Sequence, residues 1–255
     1  MEDSLKHFET KQAKPVSVSS SKFIGKVFLY TFFGLLITAI TAAVIGIIFS
    51  RAIQPVNYNE YVLDTELLKP YIVLLIISIV AYIPLLLYIY IACFRFHRSM
   101  GVPFVLYAIL MGVLISSFTM FVPIELIAIS FGLTCGVFGI LSLIGLKSKK
   151  DLSFLGLVAF GIFLGALFIT LFNLIWMFIF PETFSSLYWI VSFAIFFAMM
   201  LITIVDVWRV KKIAQSGEQS NNVALYCAFN LYVDFIYLFI RILYYVVMIY
   251  SRSRR

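Results

Sequence analysis

Long apolar stretches alternate with short polar ones along almost the whole chain. Each apolar stretch holds about 20 residues or more, which is the length that an α-helix needs to cross the hydrocarbon core of a bilayer. The pattern predicts an all-α polytopic membrane protein whose single transmembrane domain covers residues 27–250. Its seven helices are expected at residues 27–49, 71–94, 102–122, 124–146, 155–180, 184–206 and 224–250.

The seventh apolar stretch differs from the others because it carries two full charges, Asp234 and Arg241. On a helix these two residues, together with Asn230 and Tyr237, lie within about 60° of one face, and apolar residues cover the rest. An ionisable side chain near the bilayer centre is costly and is tolerated where it faces protein or a water-filled cavity. We therefore expect the last helix to be central in the bundle.

The composition agrees with a membrane protein, since 63% of the residues are hydrophobic and 12% are charged. Soluble domains have roughly 45–50% apolar and 25% charged residues. No length remains for an extramembrane catalytic domain, and the sequence has no nucleophile beside a base and no histidine-based metal site. We expect no enzymatic activity and no tightly bound cofactor.

The net charge of +7 comes from basic residues in the polar segments, at residues 1–26, 95–98, 147–150 and 209–212. If the helices alternate in direction, these clusters fall on one side of the membrane, which the positive-inside rule makes the cytoplasm. The bilayer, and not a nucleic acid, is therefore the expected partner of the basic residues. Residues 1–26 are predicted to form a polar cytoplasmic tail.

The basic C-terminal tail, residues 251–255, fits this topology less well. A seventh full crossing would place the tail on the outer side; the alternative is that the last helix enters the membrane and returns. The short tails and the composition favour a bacterial plasma membrane, with the endoplasmic reticulum or another endomembrane as the alternative.

Two carboxylates mark the candidate site. Asp206 lies about one turn inside the cytoplasmic end of the sixth helix, and Asp234 follows two or three turns after the seventh helix enters from the same side. Two carboxylates that meet in a low-dielectric site cannot both ionise easily and share a proton, which makes the pair a pH sensor. When deprotonated, their oxygens suit Ca²⁺, with Asn230 completing the shell, and Arg241 can latch one carboxylate.

Structural explanations of the same residues stay open. Asp206 can be an interfacial charge paired with Arg209 three residues later, and Asp234 can pair with Arg241 or bond to Tyr237 to fix packing.

Small residues supply a further prediction. Two Gly-x-x-x-Gly motifs are predicted to form helix-packing faces. They are Gly132 with Gly136, and Gly161 with Gly165.

Two segments resemble the Bax inhibitor-1 (transmembrane Bax inhibitor motif) family, in its prokaryotic form. The first runs from Phe131 to Gly156 and is followed by the triplet Leu171-Phe-Asn173; the second runs from Asn230 to Phe239 and continues to Leu243. Together with a first helix similar to that of the family, the resemblance covers nearly all of residues 22–245.

This resemblance implies a seven-helix fold with a central last helix and a pH-dependent calcium leak, with Asp206 and Asp234 at the positions of the sensor pair. Two departures stand out. The family commonly has Asp-Thr-Gln in helix six, where this chain has Asp206-Val207-Trp208. Some bacterial members carry a latch arginine in helix two, and residues 71–94 contain none, which leaves Arg241 as a substitute.

The leading prediction is thus a pH-sensitive calcium leak channel, in which Ca²⁺ is a transported or transiently bound ion. The main alternative is a non-conducting regulator that binds membrane proteases or cell-death factors. A secondary transporter is less favoured because no internal repeat is evident.

Overall fold

The computed structural model describes residues 18–49, 53–57, 60–63, 65–94, 99–179, 185–217 and 219–253. Within this part of the chain seven helices are long and apolar enough to cross a membrane, which confirms the prediction of an all-α polytopic membrane protein. In chain order the elements are α1 (Val18–Phe49), β1 (Ile53–Asn57), β2 (Glu60–Leu63), α2 (Thr65–Phe94), α3 (Gly101–Phe121), α4 (Ile124–Lys147), α5 (Ser153–Ile179), α6 (Ser185–Ser216) and α7 (Asn221–Ser253).

The first two helices are joined through a short antiparallel hairpin, which the apolar pattern did not predict. Ile53 of β1 lies opposite Leu63 of β2, and Asn57 lies opposite Glu60. Only nine residues take part, so the hairpin leaves the all-α class unchanged.

Several helices extend beyond the predicted spans. α1 begins at Val18 and not at residue 27, so residues 18–26 of the predicted tail are helical, and residues 1–17 lie outside the described residues. α6 continues to Ser216, ten residues past the predicted end at 206. The α6 extension contains Arg, Lys, Ala and Gln, which favour helix without needing an apolar environment. α6 ends next to Gly217, whose φ of 88° suits the left-handed position after a helix C-terminus.

The chain forms two compact units, which are described separately. The first unit contains residues 136–219 and the beginning of α1 up to Lys26. The second contains residues 27–135 and 220–255, and therefore the rest of α1, the hairpin, α2, α3, the first half of α4, and α7. The division between the units runs through α1 and α4.

Close backbone approach holds the first unit together. A Cβ placed on Gly145 of α4 would lie 2.7 Å from the carbonyl oxygen of Ile204 in α6, so only glycine allows this separation. The first turn of α1 is also attached to α6, because the Ser20 hydroxyl donates to the carbonyl of Ala214 over 2.8 Å.

Within the second unit, α7 contacts each of the other four helices. Thr31 of α1 donates to the carbonyl of Ala228 at 3.2 Å. The Phe229 ring lies 4.9 Å from the ring of Tyr107 in α3 and 6.2 Å from that of Tyr90 in α2, measured between centroids. Phe131 of α4 lies 5.6 Å from Phe235 of α7. In this unit the last helix is central, as predicted.

The two Gly-x-x-x-Gly motifs, which are predicted to form packing faces, do not contact another helix in the described part of this chain. No described atom lies within 4 Å of a Cβ built on any of their four glycines, Gly132, Gly136, Gly161 and Gly165. Such motifs bring helices together only where another helix faces them. The close approaches occur instead at isolated glycines such as Gly112 in α3.

Gly112→Ala should destabilise the protein by about 1–3 kcal/mol through overpacking. The new methyl group would lie 2.6 Å from Cβ of Thr41 and 2.8 Å from the carbonyl oxygen of Thr38, and the backbone of α1 cannot rotate away. Gly132→Ala is the matched control, since it makes the same change where the space is open and should be neutral or stabilising by up to about 1 kcal/mol. Unfolding free energies in detergent would test this, and equal values for both variants would contradict it.

Candidate functional site

Asp234 is the most deeply buried charge in the described residues. Its side chain is 3% exposed, and it is the one acidic or basic residue there that belongs to the buried class. Its neighbours along α7, Tyr232, Phe235 and Leu238, are buried as well. The position of Asp234 therefore follows from α7 being enclosed by other helices, as the sequence predicts for a charge within a span.

The other members of the predicted polar stripe are less buried than Asp234. Asn230 and Arg241 are partly buried, whereas Tyr237 is 47% exposed and interacts with Tyr82 of α2. Burial along α7 does not follow the stripe because helices surround α7 on several sides. The roles of Asn230, Tyr237 and Arg241 at an ion site stay predictions.

Asp206 belongs to the first unit, where it is held by Arg209 one turn later in α6. Nη1 of Arg209 donates to Oδ1 of Asp206 at 3.0 Å, so the ion pair that the spacing allows is present. The Asp206 side chain is 14% exposed and that of Arg209 is 61% exposed. Asp206 is thus a largely buried carboxylate within α6, and its pairing with Asp234, which lies in the other unit, stays a prediction.

The two residues after Asp206, at which this chain departs from the common family motif, have packing roles. Val207 is fully buried, and its Cβ lies 3.0 Å from the position of a Cβ on Gly145. Trp208 is buried too, and the ammonium group of Lys212 lies 4.8 Å from the centre of its ring. Val207 therefore packs against α4, and Trp208 packs against Lys212 of its own helix.

A network of hydroxyl groups lies within the second unit, and the sequence did not predict it. The hydroxyl groups of Thr38 in α1 and Tyr232 in α7 are 2.6 Å apart, and Thr38 donates to the carbonyl of Ala108 in α3 over 2.9 Å. One side chain thereby joins three helices. The sequence carries a signal for it, since Thr31 and Thr38 are seven residues apart and share a face of α1.

A second pair of hydroxyl groups joins α2 to α3. The Tyr107 hydroxyl donates to that of Tyr82 over 2.7 Å, and the two rings are 5.1 Å apart. Tyr107 is fully buried, and its ring also contacts Phe229 and Tyr232 of α7. The polar groups of this cluster therefore fix the helices around α7.

Comparison with known proteins identifies the chain. A family model described as "Inhibitor of apoptosis-promoting Bax1" matches residues 20–252. The chain belongs to the Bax inhibitor-1 family. It is also 30% identical, over 153 residues, to the inner membrane protein YbhL of two strains of Escherichia coli. That alignment covers 55% of this chain and 59% of YbhL, so it spans less than two thirds of the curated relatives. The family resemblance of the Phe131–Gly156 segment and of α7 is confirmed.

The second unit of this Bax inhibitor-1 family member contains a cavity of about 650 Å³ between α1, α3, α4 and α7. Its lining is apolar except for Thr38 and Thr119, and both hydroxyl groups donate to backbone carbonyls. Such a lining offers an ion few ligands and suits apolar contents. In the described part of the chain no three His, Cys, Asp or Glu side chains are grouped as a metal site would require.

Thr38→Val should destabilise this protein more than Tyr232→Phe. The valine leaves the Tyr232 hydroxyl buried without its acceptor, which costs about 1–3 kcal/mol, whereas the phenylalanine removes one hydrogen bond worth about 0.5–1.5 kcal/mol. The double variant should lose no more than Thr38→Val alone, because no hydroxyl is then left unpaired.

Unfolding free energies in detergent micelles would measure these losses. Thr170→Val is the matched control, since the Thr170 hydroxyl donates to the carbonyl of Ala166 in its own helix and its side chain is exposed. Equal losses for Thr38→Val and Thr170→Val would show that the link between helices contributes nothing.

Proposed function

We propose that this protein is a pH-sensitive calcium leak channel gated by Asp206 and Asp234. The observation that carries the proposal is the burial of Asp234, 3% exposed in a membrane-spanning helix surrounded by others. A charge in such a place is expensive, and in membrane proteins it commonly marks an ion pathway or a proton relay. Asp206, a second carboxylate within a span and 14% exposed, supports the same proposal.

The proposed mechanism uses one proton shared between the two carboxylates. With the proton bound, the pair carries a single negative charge and can pack closely. When the proton is lost, the two charges repel each other unless a cation lies between them. Carboxylate oxygens are ligands that Ca²⁺ prefers, and the amide oxygen of Asn230 can add another. Arg241 would compete with the cation for a carboxylate and so act as a latch.

In this proposal the protein has no enzymatic activity and no resident cofactor, and Ca²⁺ is its cargo. We place it in a bacterial plasma membrane with its N-terminus in the cytoplasm. The E. coli relatives are named as inner membrane proteins, which supports this membrane, and the basic clusters support the orientation. An endomembrane location is the alternative.

The second candidate is a non-conducting regulator that binds membrane proteases or cell-death factors. The description of the family model, which names an apoptosis-promoting protein, favours it. So do the glycines of α5, Gly161 and Gly165, which are exposed, have no described atom within 4 Å of an added Cβ, and can accept a helix of another membrane protein.

Calcium flux into liposomes that contain the purified protein would test the channel. Between about pH 6 and 8 the wild type should show a flux that changes with pH, because the proposed pair gains or loses its shared proton. Asp206→Asn and Asp234→Asn should each remove most of this pH dependence, since one carboxylate cannot share a proton with an amide. Glu66→Gln is the control, because Glu66 is 83% exposed and forms an ion pair with Lys69, three residues later in the same helix.

Flux that equals that of empty liposomes at every pH would contradict the channel and favour the regulator. If both aspartate variants conduct Ca²⁺ with unchanged pH dependence, the protein is still a channel, but Asp206 and Asp234 are not its pH sensor.

A further inference from the structure

The first unit carries a basic surface at the end formed by the turn between α4 and α5 and by the last turns of α6. We call it the basic end. Its basic side chains are exposed and come from two separate segments of the chain: Lys147, Lys149, Lys150, Arg209 and Lys212.

A hydrogen bond fastens these two segments together. The ammonium group of Lys211 in α6 donates to the backbone carbonyl of Ser148 in the turn over 2.8 Å. Because of this contact, the lysines of the turn and the basic residues of α6 form one surface. Lys22 of α1 is exposed in the same unit, and α1 is attached to α6 there through Ser20 and Ala214.

Asp151 is the one acidic residue in the turn, and it is engaged locally. Its Oδ1 accepts a hydrogen bond from the backbone N–H of Ser153 at 2.8 Å, where α5 begins. That hydrogen bond, and to a smaller extent nearby Lys212, hold the pKa of Asp151 below its usual range. Even with Asp206, the partner of Arg209, counted as well, basic side chains outnumber carboxylates in the described part of the basic end.

The basic end is expected at the level of the lipid headgroups. The turn directly joins two membrane-spanning helices, so it must lie where the hydrocarbon core ends. Trp208 and Lys212 pack together at this level, and tryptophan is enriched at membrane interfaces. The positive-inside rule accounts for the number of basic residues at the basic end. It does not explain why Arg209 contacts a buried carboxylate, Asp206.

The ion pair with Asp206 engages only part of the hydrogen-bonding capacity of Arg209 within the described residues. Within the described residues it bonds to Asp206 through Nη1 alone, and its side chain is 61% exposed. Its Nη2 lies 3.9 Å from the position of a Cβ on Gly156 in α5, where glycine leaves room. A guanidinium has five N–H donors, and its planar geometry matches phosphate oxygens.

We propose that the basic end binds the phosphate headgroup of anionic phospholipids and that this headgroup competes with Asp206 for Arg209. The lysines supply attraction without fixed geometry, and Arg209 supplies directed, charge-assisted hydrogen bonds. Headgroup binding then weakens the hold of Arg209 on Asp206. The inference needs neither calcium conduction nor the pairing of Asp206 with Asp234.

Fluorescence quenching by brominated lipids would test the site. The reporter is a chain with Trp208 as its one tryptophan, made by Trp176→Phe and Trp189→Phe, in phosphatidylcholine bilayers. Brominated phosphatidylglycerol should quench Trp208 more than brominated phosphatidylcholine at equal mole fraction, and the difference gives a relative binding constant. Lys149→Gln with Lys150→Gln should lower this constant by about fivefold for each lysine removed. The control, Lys69→Gln with Arg252→Gln, removes the same charge elsewhere and should leave it unchanged.

Two further variants test the competition and are expected to act in opposite directions. Arg209→Gln should lower the preference for phosphatidylglycerol, and Asp206→Asn should raise it because Arg209 is then released to the headgroup. Quenching by brominated phosphatidylcholine shows that each variant is inserted in the bilayer.

Equal quenching of the wild type by the two brominated lipids would overturn the site. An unchanged preference in Asp206→Asn would overturn the competition. Loss of the preference in excess inorganic phosphate, at constant ionic strength, would show that the surface takes free phosphate and would overturn its assignment to a lipid.

Discussion

Helices in a bilayer cannot associate by burying apolar surface, because lipid tails are as apolar as leucine. Contacts between them must come from close packing and from polar groups that find partners. In this protein Thr31 and Thr38 bond to backbone carbonyls of neighbouring helices, and Gly112 and Gly145 let backbones approach. The positions of the helices in each unit depend on a few such residues.

The same constraint makes the buried carboxylates informative. Surrounding α7 with four helices creates a place where Asp234 is removed from lipid, and the hydroxyl and aromatic contacts of Thr38, Tyr107 and Tyr232 hold that enclosure in position. A residue of this kind adds nothing to hydrophobic packing and is costly to insert. Its burial within a membrane-spanning helix is why the proposed function rests on it.

Arg209 links two environments of different polarity. One side of its guanidinium touches Asp206, which is largely buried, while most of the side chain is exposed beside a lysine-rich turn. An arginine in this position can respond to anions outside the helices without moving the backbone. This is the physical basis for relating the lipid composition of the membrane to the state of a carboxylate within a span.

The sequence by itself determined the number of helices, the class of the fold, the family, and Asp234 as an unusual charge, because span length and intramembrane charge are local properties of the chain. It also placed Arg209 within reach of Asp206, since three residues make less than one turn. Only the tertiary structure decided that no described helix contacts the Gly-x-x-x-Gly faces, that Gly112 makes a close contact, and that Thr38 joins α1, α3 and α7. Those features depend on which helix lies opposite each residue, and in helices that are apolar on every side no periodicity records that neighbour.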